Sequence, residues 1–166
     1  MVVACVSRKT RPGKARPFVL EDFAPYRIVA LGHAISGRLS QAYRDENLTI
    51  PEWRVLAVIS QAEEVAARDV VSRTPMDKMT VSRAVASLEA KGFVLRATSK
   101  SDRRVSMLSL SKNGRALFDR VAALALEIED ELMAPLSPEE TAAFRMVLQK
   151  LEERVQSGSE GDDSEG

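Results

Sequence analysis

Apolar residues recur every three or four positions up to Gly92 and then give way to short, closely spaced runs. This change of period, set among helical stripes, constrains the fold more than any other feature. Before it, Val81, Val85 and Leu88 mark the buried face of a helix that Asp77 caps and Gly92 stops. After it, Phe93–Arg96 and Val105–Leu110 read as two strands. The polar stretch between them, Thr98-Ser-Lys-Ser-Asp-Arg-Arg104, reads as the long charged tip of a β-hairpin.

The flanking sequence extends this pattern. A first helix is predicted from about Asp22 to Glu46, with Pro25 in its first turn and Ile28, Leu31, Ile35, Leu39 and Tyr43 along one stripe. Gly32 and Gly37 weaken that helix by roughly 1 kcal/mol each. Their presence fits close packing against another backbone or plain tolerance. Thr49-Ile50-Pro51-Glu52 forms a capping box for a second helix that turns Trp53, Leu56 and Ile59 inward. A short third helix, about Ala66–Ser72, is interrupted at Thr74-Pro75, because proline disfavours helical geometry in the residue before it. A fifth helix begins near Ser111, carries Leu117, Val121, Leu124, Ile128 and Leu132 on one stripe, and ends at Pro135. A second capping box, Ser137-Pro138-Glu139-Glu140, opens a sixth helix expected to bury Phe144, Val147, Leu148, Leu151 and Val155. The predicted fold class is mainly α with a small β-hairpin: a winged helix-turn-helix over about 48–110, flanked by helices over about 22–46 and 112–155 whose apolar stripes alone suit a monomeric helical core as well as a dimer. Residues 1–17 read as a flexible basic arm, 18–155 as the folded domain, and 156–166 as a disordered acidic tail.

Charge locates a partner for the central block. The formal net charge is zero, yet residues 65–104 carry nine basic side chains against four acidic ones. Residues 1–20 carry five basic side chains and no acid, whereas the remaining segments are acidic. Basic blocks inside a neutral chain point to a polyanion, although solvation of the surface explains most such clusters. The basic arm is expected to add nonspecific affinity for it. No run of 18 apolar residues marks a membrane span, and the apolar start precedes rather than follows the basic residues, so a cytoplasmic protein is expected. The single cysteine, Cys5, forbids an intrachain disulfide and reads as an inert thiol. The single histidine, His33, has no second ligand at metal spacing and is expected to be buried or hydrogen-bonded; no metal or cofactor is expected.

A helix about 10–12 Å across fits the major groove of duplex DNA, and residues near its N-terminus reach base edges. Here that stretch is Lys78-Met79-Thr80-Val81-Ser82-Arg83. Thr80 and Ser82 donate or accept, Arg83 suits guanine O6 and N7, and Val81 turns into the core. Pairing of Arg83 with Glu89 or a phosphate is the alternative. Arg73, Lys78 and Lys100 are expected to contact phosphates, as is Arg68. At the hairpin tip, Arg103 and Arg104 have the chemistry of a minor-groove probe. Asp102 is expected to accept hydrogen bonds from a neighbouring arginine and stiffen the tip.

These residues, taken in order, resemble the MarR (multiple antibiotic resistance regulator) family. The resemblance rests on Leu48-Thr49 before Trp53, on the run Asp77–Arg96, on Asp102-Arg-Arg104 as an Asp-x-Arg wing, and on Leu108-Ser-Leu-Ser-Lys-Asn-Gly114 leading into the next helix. Ser111 stands where the family pattern has Thr, which keeps the capping hydroxyl. The helix order extends the resemblance over about residues 20–155. It implies a homodimer in which the first, fifth and sixth helices of two copies interlock. Each recognition helix would enter a major groove and each wing the flanking minor groove or backbone, on a pseudo-palindromic operator with half-sites about 34 Å apart. It also implies a repressor released by a small aromatic or phenolic ligand, for which Tyr26, His33, Arg38, Tyr43 and Trp53 are candidate liners, although each such residue is more often plain core or surface and no ligand site is assigned. The chain has neither a Gly-rich phosphate loop nor a Cys/His nucleophile arrangement, which argues against an enzyme. A winged-helix adaptor that binds protein without DNA is the alternative, and the basic recognition helix argues against it.

Overall fold

The computed structural model describes residues 17–99, 102 and 104–159. Lys100, Ser101, Arg103, the arm up to residue 16 with Cys5, and the tail from residue 160 lie outside the described residues. The chain divides into two units at Gly37, inside one helix.

The first unit opens with a 3-10 turn at Leu20–Asp22, closed by the Phe23 N–H on the Leu20 carbonyl. Phe23 is extended, so helix α1 starts at Ala24 rather than Asp22 and runs to Ala42. Phe18 and Phe23 pack ring to ring at 5.3 Å. The start of the apolar stripe is exposed, at Ile28 and Leu31, as are Val29 and Phe18, the last at 73%, whereas Ile35 and Leu39 are half-buried and Tyr43 is buried. Among the described residues, no atom beyond helix backbone and chain neighbours comes within 4 Å of a Cβ at Gly32 or Gly37, so close packing there does not explain them.

The second unit begins with the end of α1, and a further 3-10 turn, Arg44–Glu46, leads to Asn47 in the left-handed conformation. Asn tolerates that conformation and closes the 3-10 turn, while α1 itself ends at Ala42, short of the expected Glu46. Helix α2 (Ile50–Ile59) has the expected capping box: Thr49 Oγ1 accepts from the Glu52 N–H, and Glu52 Oε2 accepts from the Thr49 N–H at 2.7 Å. Strand β1 (Val65–Ala66) and helix α3 (Ala67–Ser72) follow. Helix α4 (Lys78–Ala90) ends in a Schellman closure, with the Gly92 N–H on Glu89 O and the Phe93 N–H on Leu88 O, and Gly92 at φ +73°. Phe93 therefore belongs to the helix stop, and strand β2 starts one residue later than expected, Val94–Thr98. It pairs antiparallel with β3 (Ser106–Leu110), Val94 opposite Leu110 and Thr98 opposite Ser106.

The expected hairpin is part of a larger sheet. Val65 and Ala66 pair with Leu108 and Met107, giving three strands in the order β1-β3-β2. Two residues are too few to display a strand's alternation, so sequence does not reveal β1. Helix α5 (Lys112–Met133) is capped by Ser111, whose hydroxyl accepts from the Gly114 N–H and donates to Gly92 O at 2.7 Å. Helix α6 (Pro138–Ser159) opens with its predicted capping box, Ser137 with Glu140. It continues four residues beyond Val155, into the stretch expected to be disordered, and the Ser157 hydroxyl donates back to Arg154 O.

One core lies among α2, α3, α4, the sheet and the first half of α5. It contains Val55, Leu56, Ile59, Val70, Val81, Val85, Leu88, Val94, Leu108, Leu117 and Val121. Each such side chain contributes about 1.5–3 kcal/mol when buried. Helix α6 departs from its expected burial. None of its described side chains is buried, and Phe144, Val147, Leu151 and Val155 are exposed. The core is already filled by the central elements, and the stripe finds no cover within the described chain.

Candidate nucleic-acid interface

Asp77 fixes the start of α4. Its carboxylate accepts from the Thr80 N–H and the Thr80 hydroxyl, both at 2.8 Å. These bonds hold the Asp77 carboxyl below the usual aspartate value. Thr80 is thus half-buried with its hydroxyl proton given to the cap. Val81, Ala84, Val85 and Leu88 face the core. The opposite face carries Lys78, Met79, Ser82, Arg83 and Ala86, all exposed. Arg83 makes no ion pair or hydrogen bond among the described residues. The acid suggested as its partner is taken: Glu89 accepts from Arg96 Nε and Nη2, each at 2.9 Å. Arg96 also donates to Ser106 Oγ, which ties α4 to both strands of the wing.

The back of α4 is anchored by a network that sequence reasoning missed. Glu52 is 2% exposed. Its Oε1 accepts from the Ser87 hydroxyl and from Lys91 Nζ, each at 2.6 Å, while Oε2 holds the capping-box bond. Lys91 Nζ also donates to Asn47 O at 2.8 Å. Burial pushes the Glu52 carboxyl up, but the bonds from Lys91, Ser87 and Thr49 outweigh it and keep the group below its ordinary value. The capping box was the only signal, because the other partners lie 35 and 39 residues away.

At the wing, the Ser99 N–H donates to Val105 O and the Val105 N–H to Asp102 O. Asp102 Oδ1 accepts from the Arg104 main-chain N–H at 2.9 Å. Asp102 thus ties the wing through backbone, and the exposed Arg104 guanidinium has no partner among the described residues. Arg73 caps the end of α3 and is exposed. Arg68 lines two recesses: one of about 210 Å³ with Lys78, Ser82 and Arg96, the other with Asp102 and Arg104. The start of α4 and the wing base therefore flank the first turn of α3, and their cations share one side. Lys100 and Arg103 lie outside the described residues.

Of the candidate ligand liners, Tyr43 and Trp53 are brought together, their ring centroids 6.0 Å apart. Tyr26 and His33 are exposed in the first unit, so His33 is not the buried group expected from sequence. In the second unit, Arg38 pairs with Glu131, and Trp53 stacks on Phe118 at 5.7 Å. Tyr43 is buried, and its hydroxyl has no hydrogen-bond partner among the described residues.

Helices α2 to α4, with an exposed polar face on α4 and a three-stranded wing behind it, define a winged helix-turn-helix fold. Residues 46–105 match the model of the MarR family. Over 134 residues the chain is 27% identical to the HTH-type transcriptional repressor Rv2887 of Mycobacterium tuberculosis, an alignment covering 80% of this chain and 96% of that one. The crystal structure of a MarR/EmrR family transcriptional regulator from Acinetobacter sp. ADP1 superposes with a TM-score of 0.77 at 25% identity, covering 84% of this chain and 99% of the other. BpsR of Bordetella bronchiseptica, whose DNA binding is regulated by 6-hydroxynicotinic acid, shares the fold with a TM-score of 0.74 at 23% identity, over 82% and 98% of the two chains. Residues 46–105 thus carry the MarR pattern, and the relatives and solved structures that the chain resembles over most of its length are transcriptional regulators. Among the described residues, no helix is long and apolar enough to cross a membrane.

Proposed function

We propose that this regulator is a homodimeric repressor that reads a pseudo-palindromic operator and leaves it when a small aromatic or phenolic ligand binds. The observation that carries the reading is the exposed face of α4, where Ser82 and Arg83 stand free while Glu89 is held by Arg96. Arg83 is the base reader, suited to a bidentate guanine contact. Ser82 is a second base contact, and Thr80 contributes its remaining acceptor capacity. Lys78, Arg73 and Lys100 meet phosphates, and Arg103 and Arg104 carry the wing toward the minor groove, with Asp102 holding its base.

The uncovered apolar stripes of α1 and α6 support self-association, which a two-fold operator requires. A repressor among the relatives supports the sign of regulation. The aromatic acid that regulates BpsR supports the ligand class. Such a ligand would act by favouring a dimer whose recognition helices no longer match the half-site spacing.

Gel-shift titration on the DNA upstream of the gene, at two salt concentrations, tests the reading. Specific binding with a steep salt slope is expected. Arg83→Ala should weaken specific binding by about 1–3 kcal/mol and relax the preference at one base position. An unchanged preference removes Arg83 as a reader, and no affinity at either salt replaces the repressor with a protein adaptor.

A further inference from the structure

We infer that Met79 is a specificity-determining residue that reads thymine through its 5-methyl group, an inference that rests on the DNA-reading role of α4. Met79 is 62% exposed in the first turn of the helix. It lies on one stripe with Ser82, Arg83 and Ala86, three, four and seven residues on, opposite the buried Val81, Ala84, Val85 and Leu88. No other large apolar side chain of α3 or α4 is exposed among the described residues. The exposed apolar residues of α5 and α6, such as Leu126, Leu132 and Leu151, lie on other elements, so a dimer face built from those helices does not account for Met79.

The surroundings identify the occupant. Lys78 and Arg83 flank Met79, and the N-terminus of α4 adds its positive end. An apolar side chain inside a cationic rim suits a polyanion that presents an apolar group within its groove. On the base edges of the major groove, that group is the thymine methyl. Ser82 and Ala86 are small enough to let the helix axis approach the groove floor. The unbranched, polarisable methionine side chain adapts to a methyl group. Thr80, the neighbouring candidate, spends its hydroxyl proton on Asp77, which leaves Met79 beside Lys78 as the apolar first-turn side chain with reach into a groove.

The experiment has two stages and uses the full chain. Wild type, Met79→Ala and Met79→Gln are each used to enrich sites from a randomised duplex pool. Thymines of the enriched wild-type site are then replaced one at a time by uracil, which removes only the methyl group. At one thymine per half-site, uracil should weaken wild-type binding about fourfold, the worth of one buried methyl. The same replacement should leave Met79→Ala unchanged. Met79→Ala should lose the thymine preference at that position, and Met79→Gln should shift it toward adenine, which presents N6 and N7 to a glutamine amide. If every uracil replacement affects wild type and Met79→Ala alike, or if all three proteins enrich the same thymine, the inference is overturned while the DNA-reading role of α4 stands. If wild type enriches no sequence, both fall together.

Discussion

Glu52 shows how one residue sets the position of a reading surface. It caps α2 and, through the same carboxylate, receives Ser87 and Lys91 from the far end of α4 and just beyond it. A buried carboxylate with three donors is satisfied; the same group without them would cost several kcal/mol. Glu52→Gln keeps the shape and loses the charge, and should lower stability by about 1–2 kcal/mol at neutral pH in urea unfolding. The sign of the pH effect follows from the lowered value of Glu52. Its stabilising contribution is complete above the ordinary glutamate range and is lost as pH falls through the lower, folded-state value. Wild type should therefore lose stability more steeply than Glu52→Gln on acidification, and parallel curves would remove Glu52 from that role.

Among the elements, the stop of α4 and the start of α5 meet at a close approach. A Cβ at Gly114 would lie 2.0 Å from Phe93 O, so the first turn of α5 must be bare at that position. The Ser111 hydroxyl, bonded to both Gly92 O and the Gly114 N–H, fixes the same joint. Gly114→Ala should destabilise the chain by about 2–3 kcal/mol, because neither backbone can yield without disturbing the sheet. Thermal unfolding checks this; a change below about 0.5 kcal/mol would mean the joint relaxes freely. The glycine is plain in the sequence as part of the run into the next helix, but its cause, a carbonyl 21 positions upstream, is not.

At the scale of the molecule, apolar surface is divided between a filled core and uncovered stripes. The winged-helix core takes Leu117 and Val121 from α5, but Leu126 and Leu132 further along it are exposed. In α6, Val155 is 72% exposed at the end of a stripe that includes Leu151. Leu151→Glu should leave the core of residues 38–159 folded, since that core does not use Leu151. It should weaken self-association by at least about tenfold, as a charge replaces an apolar contact. Sedimentation and circular dichroism together test this, and unaltered association would place the interface elsewhere.

Elements whose causes are local are legible in the order of residues alone. Thr49, Asp77, Ser111 and Ser137 start helices through bonds three residues away, Gly92 stops one with a left-handed turn, and spacings of three and four mark the apolar stripes. What those stripes meet is settled by contacts between distant parts of the chain. They add Val65 and Ala66 to the sheet, bring Lys91 to Glu52 and Arg96 to Glu89, and leave Met79 and the α6 stripe uncovered. A periodic stripe records which side of a helix is apolar, but which neighbour covers that side depends on chain segments folded back from far along the sequence.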